Sequence, residues 1–140
     1  MRSRSAAACA AGLVVLLAAA CSKGSSASTP TPTGPRPSTT AHVQILSPTN
    51  GQVVRGGTVQ INVALTGAKI VRATSRNIRP DQGHLHVYLD NQIVGMNFGL
   101  TDTVGGVKPG LHILRVEFVA SDHLPFNPRV FTSVTFEDKS

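Results

Sequence analysis

Three histidines of this chain have the type and spacing of residues that can bind a metal ion. His84 and His86 are two apart in the stretch GHLHVYLDN, and His123 lies in the later stretch SDHLPF. On a β-strand, residues i and i+2 point to the same side of the sheet, about 7 Å apart at Cα, so His84 and His86 could share one cation. Because neutral imidazole is a common ligand of zinc and copper, the pair indicates a candidate metal site that needs a third ligand.

The segments that must position these histidines have the period-2 alternation of β-strands. Alternating apolar and polar residues predict strands over 59–65, 84–89, 112–118 and 130–136, with weaker strands near 43–46 and 94–100. Gly, Pro and Asn turn signals separate the strands, and helical periodicity is scarce. Short strands joined by such turns over about 100 residues predict an all-β fold, an antiparallel β-sandwich.

A third ligand could come from beyond the strand over 112–118 if that strand is the antiparallel neighbour of the strand with the histidine pair. The start of one strand then lies beside the end of the other, which brings His123 towards His84. Glu117 would share the outer face with this cluster. His112 falls at the opposite end, and we expect it to be a structural residue whose ring bonds to a loop carbonyl.

The histidine pair also has a plain alternative interpretation. A strand face that meets water carries polar side chains, and His84 and His86 could be such residues without any ligand. Met96 offers a thioether that copper would accept, but its alternation with Phe98 and Leu100 favours a core position. Two hypotheses therefore stay open, a copper or zinc site at His84, His86 and His123, and no cofactor.

The sequence gives no clear sign of a catalytic or nucleotide-binding site. It contains no G-x-S-x-G, H-E-x-x-H, P-loop or G-x-G-x-x-G motif, and its seven acidic residues form no obvious catalytic pair, so we expect no enzyme. The formal charge is +6, but four of the thirteen basic residues precede position 40, which leaves the remainder near +2. A nucleic-acid partner is therefore not expected.

The N-terminus has the pattern of a targeting signal. Basic residues precede an apolar run over 6–20, which is shorter than the roughly 20 residues of a membrane-spanning helix, and this predicts a signal peptide over 1–20. The stretch LAAAC at 17–21 resembles the lipobox of bacterial lipoproteins, although Ala18 stands where leucine is preferred. The resemblance implies that Cys21 is acylated and that the protein is lipid-anchored on the extracytoplasmic face of the cell membrane.

The stretch after the signal is polar and rich in Ser, Thr, Pro and Gly. Residues 22–40 contain no aliphatic side chain larger than alanine, so they cannot bury a core. We therefore predict a lipidated cysteine and disordered tether over 21–40, followed by one folded domain over 41–140.

Three stretches of the domain carry a further resemblance: ILSPTNGQVVRGGTVQINVAL, HVYLDNQIVG and VKPGLHILRVEFVASD. Over residues 43–136 they are similar to bacterial immunoglobulin-like extracellular modules, with Asn91 in place of the usual turn glycine. The resemblance implies an immunoglobulin-like β-sandwich. The Gly-His-x-His and Asp-His-x-Pro segments are also loosely similar to small periplasmic domains. This similarity does not imply any particular activity.

Together these patterns predict a membrane-anchored envelope lipoprotein that displays a non-enzymatic binding or adhesion module. We expect a monomer whose partners are the membrane, through the lipid anchor, and an envelope protein or wall polymer. The alternative function is periplasmic or cell-surface binding of copper or zinc through the histidine cluster.

Overall fold

The computed structural model describes residues 35–140, which form nine β-strands. The strands are β1 His42–Ser47, β2 Gln52–Val54, β3 Thr58–Thr66, β4 Lys69–Ile70, β5 Gln82–Leu89, β6 Gln92–Asn97, β7 Thr101–Gly105, β8 Gly110–Ala120 and β9 Pro125–Asp138. The predicted signal peptide, Cys21 and the tether as far as residue 34 lie outside the described residues. Within 35–140, no helix has the length and apolar character needed to cross a membrane.

The strands form two sheets. The smaller has the order β1-β3-β7, and the larger has the order β2-β9-β8-β5-β4, with β6 also paired to β5. The long pairings are antiparallel, which confirms the predicted all-β sandwich. Two short pairings, β2 with β9 and β4 with β5, are parallel and differ from the purely antiparallel expectation.

The core lies between the two sheets and consists of the inward-facing residues of the predicted alternation. Val59, Ile61 and Val63 of β3 are at most 5% exposed. On the facing sheet, Leu85 and Val87 of β5 are buried in the same core cluster. Burying a side chain of this size contributes roughly 1.5–3 kcal/mol, so the alternation in β3 and β5 fixes which face of each strand points inward.

The β5–β6 hairpin sets the register beside the histidines. Its two turn residues, Asp90 and Asn91, have φ values of 49° and 66°, the left-handed conformation that a tight type I′ turn needs. Asparagine and aspartate tolerate this region better than other non-glycine residues. Asn91 therefore fits the turn position at which the similar modules carry glycine.

Candidate metal centre

Pairing between β5 and β8 places the histidine pair at one pole of the larger sheet. His84 lies opposite Val119, and His86 lies opposite Glu117. Residues in direct register share a face, so Glu117 lies on the histidine face as predicted. The close approach of the two strands depends on Gly83, because a Cβ there would lie 2.0 Å from the Val119 carbonyl oxygen.

The turn between β8 and β9 brings in the third histidine. The His123 N–H donates to the Ala120 carbonyl at 2.9 Å, and the Ala120 N–H donates to the Leu124 carbonyl at 3.0 Å. His123 has a φ of 66°, so the chain reverses sharply at this residue. The structure therefore brings His84, His86 and His123 together, as the strand pattern predicts.

One ring nitrogen from each histidine lies within 4.8 Å of the other two. His84 Nε2 is 3.2 Å from His86 Nε2 and 2.9 Å from His123 Nδ1. Two nitrogens bound to one tetrahedral ion at zinc–nitrogen distances of about 2.0–2.1 Å would be about 3.3 Å apart. The two separations that involve His84 are thus close to those of ligands that share an ion.

The pair is buried, which corrects the alternative expectation of a solvated strand face. His84 is 1% exposed and His86 is 6% exposed. The Phe98 ring packs against His84 with centroids 5.2 Å apart, and Thr74 Oγ1 is 3.2 Å from His123 Nε2. Phe98, just after β6, therefore covers His84, and the irregular segment that contains Thr74 contacts His123.

The protonation states of the cluster suit a ligand role. Burial, reinforced by the neighbouring imidazoles of His86 and His123, lowers the pKa of His84 to about 4. Burial is also the main reason that the pKa of His86 is lowered. Both rings are therefore neutral near pH 7, which is the ligand form of imidazole.

The two ring nitrogens of His84 have different surroundings. Its Nδ1 is buried without a hydrogen-bond partner among residues 35–140, whereas its Nε2 faces both other histidines. A neutral ring with its proton on Nδ1 keeps the Nε2 lone pair free. That lone pair then points into the space shared by the three rings.

The carboxylates around the cluster are paired with arginines. Glu117 is fully buried, and Arg129 Nε and Nη2 donate to its two oxygens at 2.7 and 2.6 Å. Hydrogen bonding to Glu117 is the main reason that the pKa of Arg129 is raised. Asp122 receives a similar pair of bonds from Arg36, a residue that sequence reasoning assigned to the tether.

His112 lies near the start of β8, at the opposite end of that strand from the histidine cluster, as expected. Its Nδ1 bonds to Asp90 Oδ2 at 2.7 Å, and its Nε2 donates to the Lys108 carbonyl at 2.7 Å. The imidazole is held in place by a loop carbonyl and a carboxylate, which is the structural role that the sequence suggested. His42, the fifth histidine, is exposed at the start of β1.

The expected core position of Met96 is wrong, because its side chain is 54% exposed. Strands β5 and β6 pair Val87 with Gly95 and Tyr88 with Ile93, so Val94 is the extra residue of a β-bulge. Each residue beyond the bulge changes face relative to a regular alternation. The bulge thereby places Met96 directly opposite His86 on the outer face.

Comparisons with known proteins concern the fold alone. Neither a protein-family model nor a curated protein matches this sequence. Among solved structures, the chain is similar to fibronectin(III)-like modules of Clostridium thermocellum CbhA, with 17% identity and a TM-score of 0.50 over 69% of this chain and 94% of that one. It is also similar to the PKD domain of human KIAA0319, with 14% identity and a TM-score of 0.45 over 79% of this chain and 91% of that one. The likeness to the fibronectin(III)-like modules agrees with the strand order in showing an immunoglobulin-like β-sandwich.

Proposed function

We propose that this protein is a lipid-anchored envelope module that binds one transition-metal ion and catalyses no reaction. The observation that carries the proposal is the convergence of one nitrogen each from the buried His84 and His86 and the half-buried His123. Two buried imidazoles with lowered pKa values are costly to a fold that gains nothing from them. A bound ion would accept one nitrogen lone pair from each of the three rings.

Binding is favoured over catalysis by the state of the nearby carboxylates. Glu117 and Asp122 are the acidic residues beside the cluster, and each accepts two hydrogen bonds from an arginine. Neither is free to act as a general base towards a metal-bound water. The cluster therefore supports capture of an ion rather than hydrolysis at it.

The location in the cell envelope is supported by the sequence. The short apolar run over 6–20 and the LAAAC stretch at 17–21 resemble a lipoprotein signal, and the polar residues that follow suit a tether. Acylation of Cys21 would hold the domain at the extracytoplasmic face of the membrane. A metal site displayed there would meet ions outside the cytoplasm.

A second candidate function is binding or adhesion to an envelope protein or wall polymer. The larger sheet leaves several apolar side chains exposed on its surface, among them Leu111 at 73% and Phe131 at 53%. Exposed apolar residues of this kind commonly mark contact surfaces. This function does not require the histidine cluster, so variants of the cluster separate the two candidates.

Metal content of the purified protein tests the proposal. The full chain is produced without a histidine tag, purified in detergent, equilibrated with zinc or with copper and dialysed before elemental analysis. We expect one ion per chain, with loss of the ion in His123→Asn, because asparagine tolerates the left-handed backbone of that position but lacks the imidazole. His42→Gln is the matched control and should keep the ion. Equal metal content in wild type and His123→Asn would overturn the proposal.

A further inference from the structure

The methionine on strand β6 is positioned to add a fourth ligand to the histidine cluster. Met96 lies directly opposite His86 in the antiparallel β5–β6 pair. Directly opposed residues share a face, with Cβ atoms about 4.5–5.5 Å apart. Methionine has three rotatable side-chain bonds, and Met96 is 54% exposed, so its sulfur is free to turn towards the three histidines.

Packing in the core does not explain the position of Met96. An exposed methionine on a strand edge buries little apolar area, and the bulge at Val94 is what turns it outward. Without that extra residue, Met96 would pair with Leu85 and point into the core. Bulges commonly re-aim a side chain beside a functional site.

The charges around the pocket favour an ion of low charge. Imidazole binds a metal ion as a neutral donor, and the carboxylates of Glu117 and Asp122 are each neutralised by an arginine. The guanidinium of Arg72 adds a positive charge, 5.8 Å from the Phe98 ring that packs on His84. The cost of burying an ion grows with the square of its charge, so a dication is penalised far more than a monocation here.

From this donor set and this charge balance, we propose that the site selects the cuprous ion, with Met96 as the fourth ligand beside His84, His86 and His123. Thioether sulfur is a soft ligand that prefers Cu(I) over harder divalent ions. Three neutral nitrogens and one neutral sulfur leave a single positive charge in the pocket when Cu(I) is bound. The inference rests on the proposed metal-binding function and adds the identity of the ion.

The test compares Cu(I) and Zn(II) binding to wild type and Met96→Leu. The full chain in detergent is titrated anaerobically, with ascorbate and a chromophoric Cu(I) chelator as competitor, and separately with Zn(II) and a zinc chelator. We expect Met96→Leu to weaken Cu(I) binding by at least about 10-fold, because loss of a group that only orients a ligand already costs about 10- to 100-fold, and to leave Zn(II) binding unchanged. Ile93→Leu, an exposed change on the same strand, is the matched control and should alter neither.

The outcomes separate this inference from the proposed function. If Cu(I) binds equally well to wild type and Met96→Leu, or if Zn(II) binds more tightly than Cu(I), the cuprous assignment is wrong although a histidine site exists. If neither ion binds in a His123-dependent way, the proposed function fails and the assignment fails with it. Because Met96 is exposed, its replacement by leucine should not prevent folding.

Discussion

Arg36 and Asp122 form a two-pronged ion pair that ties the chain before β1 to the turn that carries His123. Arg36 Nη1 donates to Asp122 Oδ2 at 2.6 Å, and Nη2 donates to Oδ1 at 2.9 Å. The same guanidinium also donates to the Leu124 and Pro125 carbonyls at 3.1 and 2.9 Å. Both charged side chains are less than a fifth exposed. The end of the predicted tether is thus a structural part of the candidate site.

Replacing Arg36 should loosen the turn and weaken metal binding. We expect Arg36→Ala to reduce affinity for the bound ion by about 10- to 100-fold, as for other groups that orient a ligand. Loss of hydrogen bonds between charged groups should also lower the free energy of unfolding by about 1.5–3 kcal/mol. Metal titration and urea denaturation measure the two effects.

The control for that experiment is an arginine whose ion pair is exposed. Arg79 lies 3.6 Å from Asp81, with both side chains about half exposed or more. Arg79→Ala should therefore change stability by less than about 1 kcal/mol and leave metal affinity unaltered. If Arg36→Ala behaves like Arg79→Ala, Arg36 does not position His123.

The long strands and the meeting of the three histidines could be predicted from the sequence. Alternation fixed the inward face of residues 59–65, and the antiparallel arrangement of β5 and β8 was enough to bring His123 to His84. The short strands β2, β4 and β7 were missed because two or three paired residues, or a segment such as Thr-Asp-Thr-Val-Gly, show no clear alternation. These strands depend on pairing with distant partners rather than on their own pattern.

Three features of the site depend on contacts between distant residues and could not be predicted. Phe98 packs on His84 and Thr74 contacts His123, and neither residue gives a local signal of this role. The outward turn of Met96 follows from a bulge, which a regular alternation cannot anticipate. Arg36 lies in a Pro/Thr-rich stretch whose composition suggests disorder, yet its partner Asp122 is 86 residues away.

Replacing Gly83 even by alanine should destabilise the fold. A Cβ at this position would lie 2.0 Å from the Val119 carbonyl oxygen and 2.9 Å from Phe118 Cζ, so β5 and β8 would have to separate beside His84. We expect Gly83→Ala to lower the free energy of unfolding by about 1–3 kcal/mol, the usual cost of overpacking.

A glycine in open space provides the matched control for Gly83. A Cβ at Gly105 would meet nothing within 4 Å, so Gly105→Ala should change stability by no more than about 0.5 kcal/mol. Thermal or urea denaturation measures both variants. Equal stability of Gly83→Ala and Gly105→Ala would mean that β5 and β8 do not approach each other closely at Gly83.

The metal-free protein should lose stability as the pH falls from about 6.5 to about 4. His84 has an ordinary pKa of 6.5 when unfolded and a pKa of about 4 in the fold. Between these values the unfolded chain binds more protons, so acidification favours unfolding. The measurement is urea denaturation at pH 7 and pH 5 in the presence of a chelator.

The same measurement on His84→Leu isolates the contribution of this ring. Leucine does not titrate, so the variant should lose less stability than wild type between pH 7 and pH 5. His86, whose pKa is also lowered, still titrates in both proteins. An equal loss in wild type and variant would show that His84 is protonated as readily in the fold as in the unfolded chain.

The lipid anchor is tested at a residue outside the described part of the chain. Cys21→Ala removes the only thiol that the lipobox resemblance marks for acylation, so the protein should leave the membrane fraction and no longer incorporate labelled fatty acid. Fractionation followed by a carbonate wash measures this. Retention of Cys21→Ala in the washed membranes would contradict lipid anchoring at this cysteine.

The central claim, that one ion binds to three particular histidines, is tested most directly by nitrogen NMR of the imidazole rings. The full chain, labelled with ¹⁵N-histidine and held in detergent micelles, is recorded before and after one equivalent of Cu(I) or Zn(II). We predict that the ring resonances of His84, His86 and His123 shift together. Those of His112, whose nitrogens bond to Asp90 and the Lys108 carbonyl, and of exposed His42 should stay in place. Unchanged resonances for the three clustered histidines, or shifts confined to His42 and His112, would contradict the account.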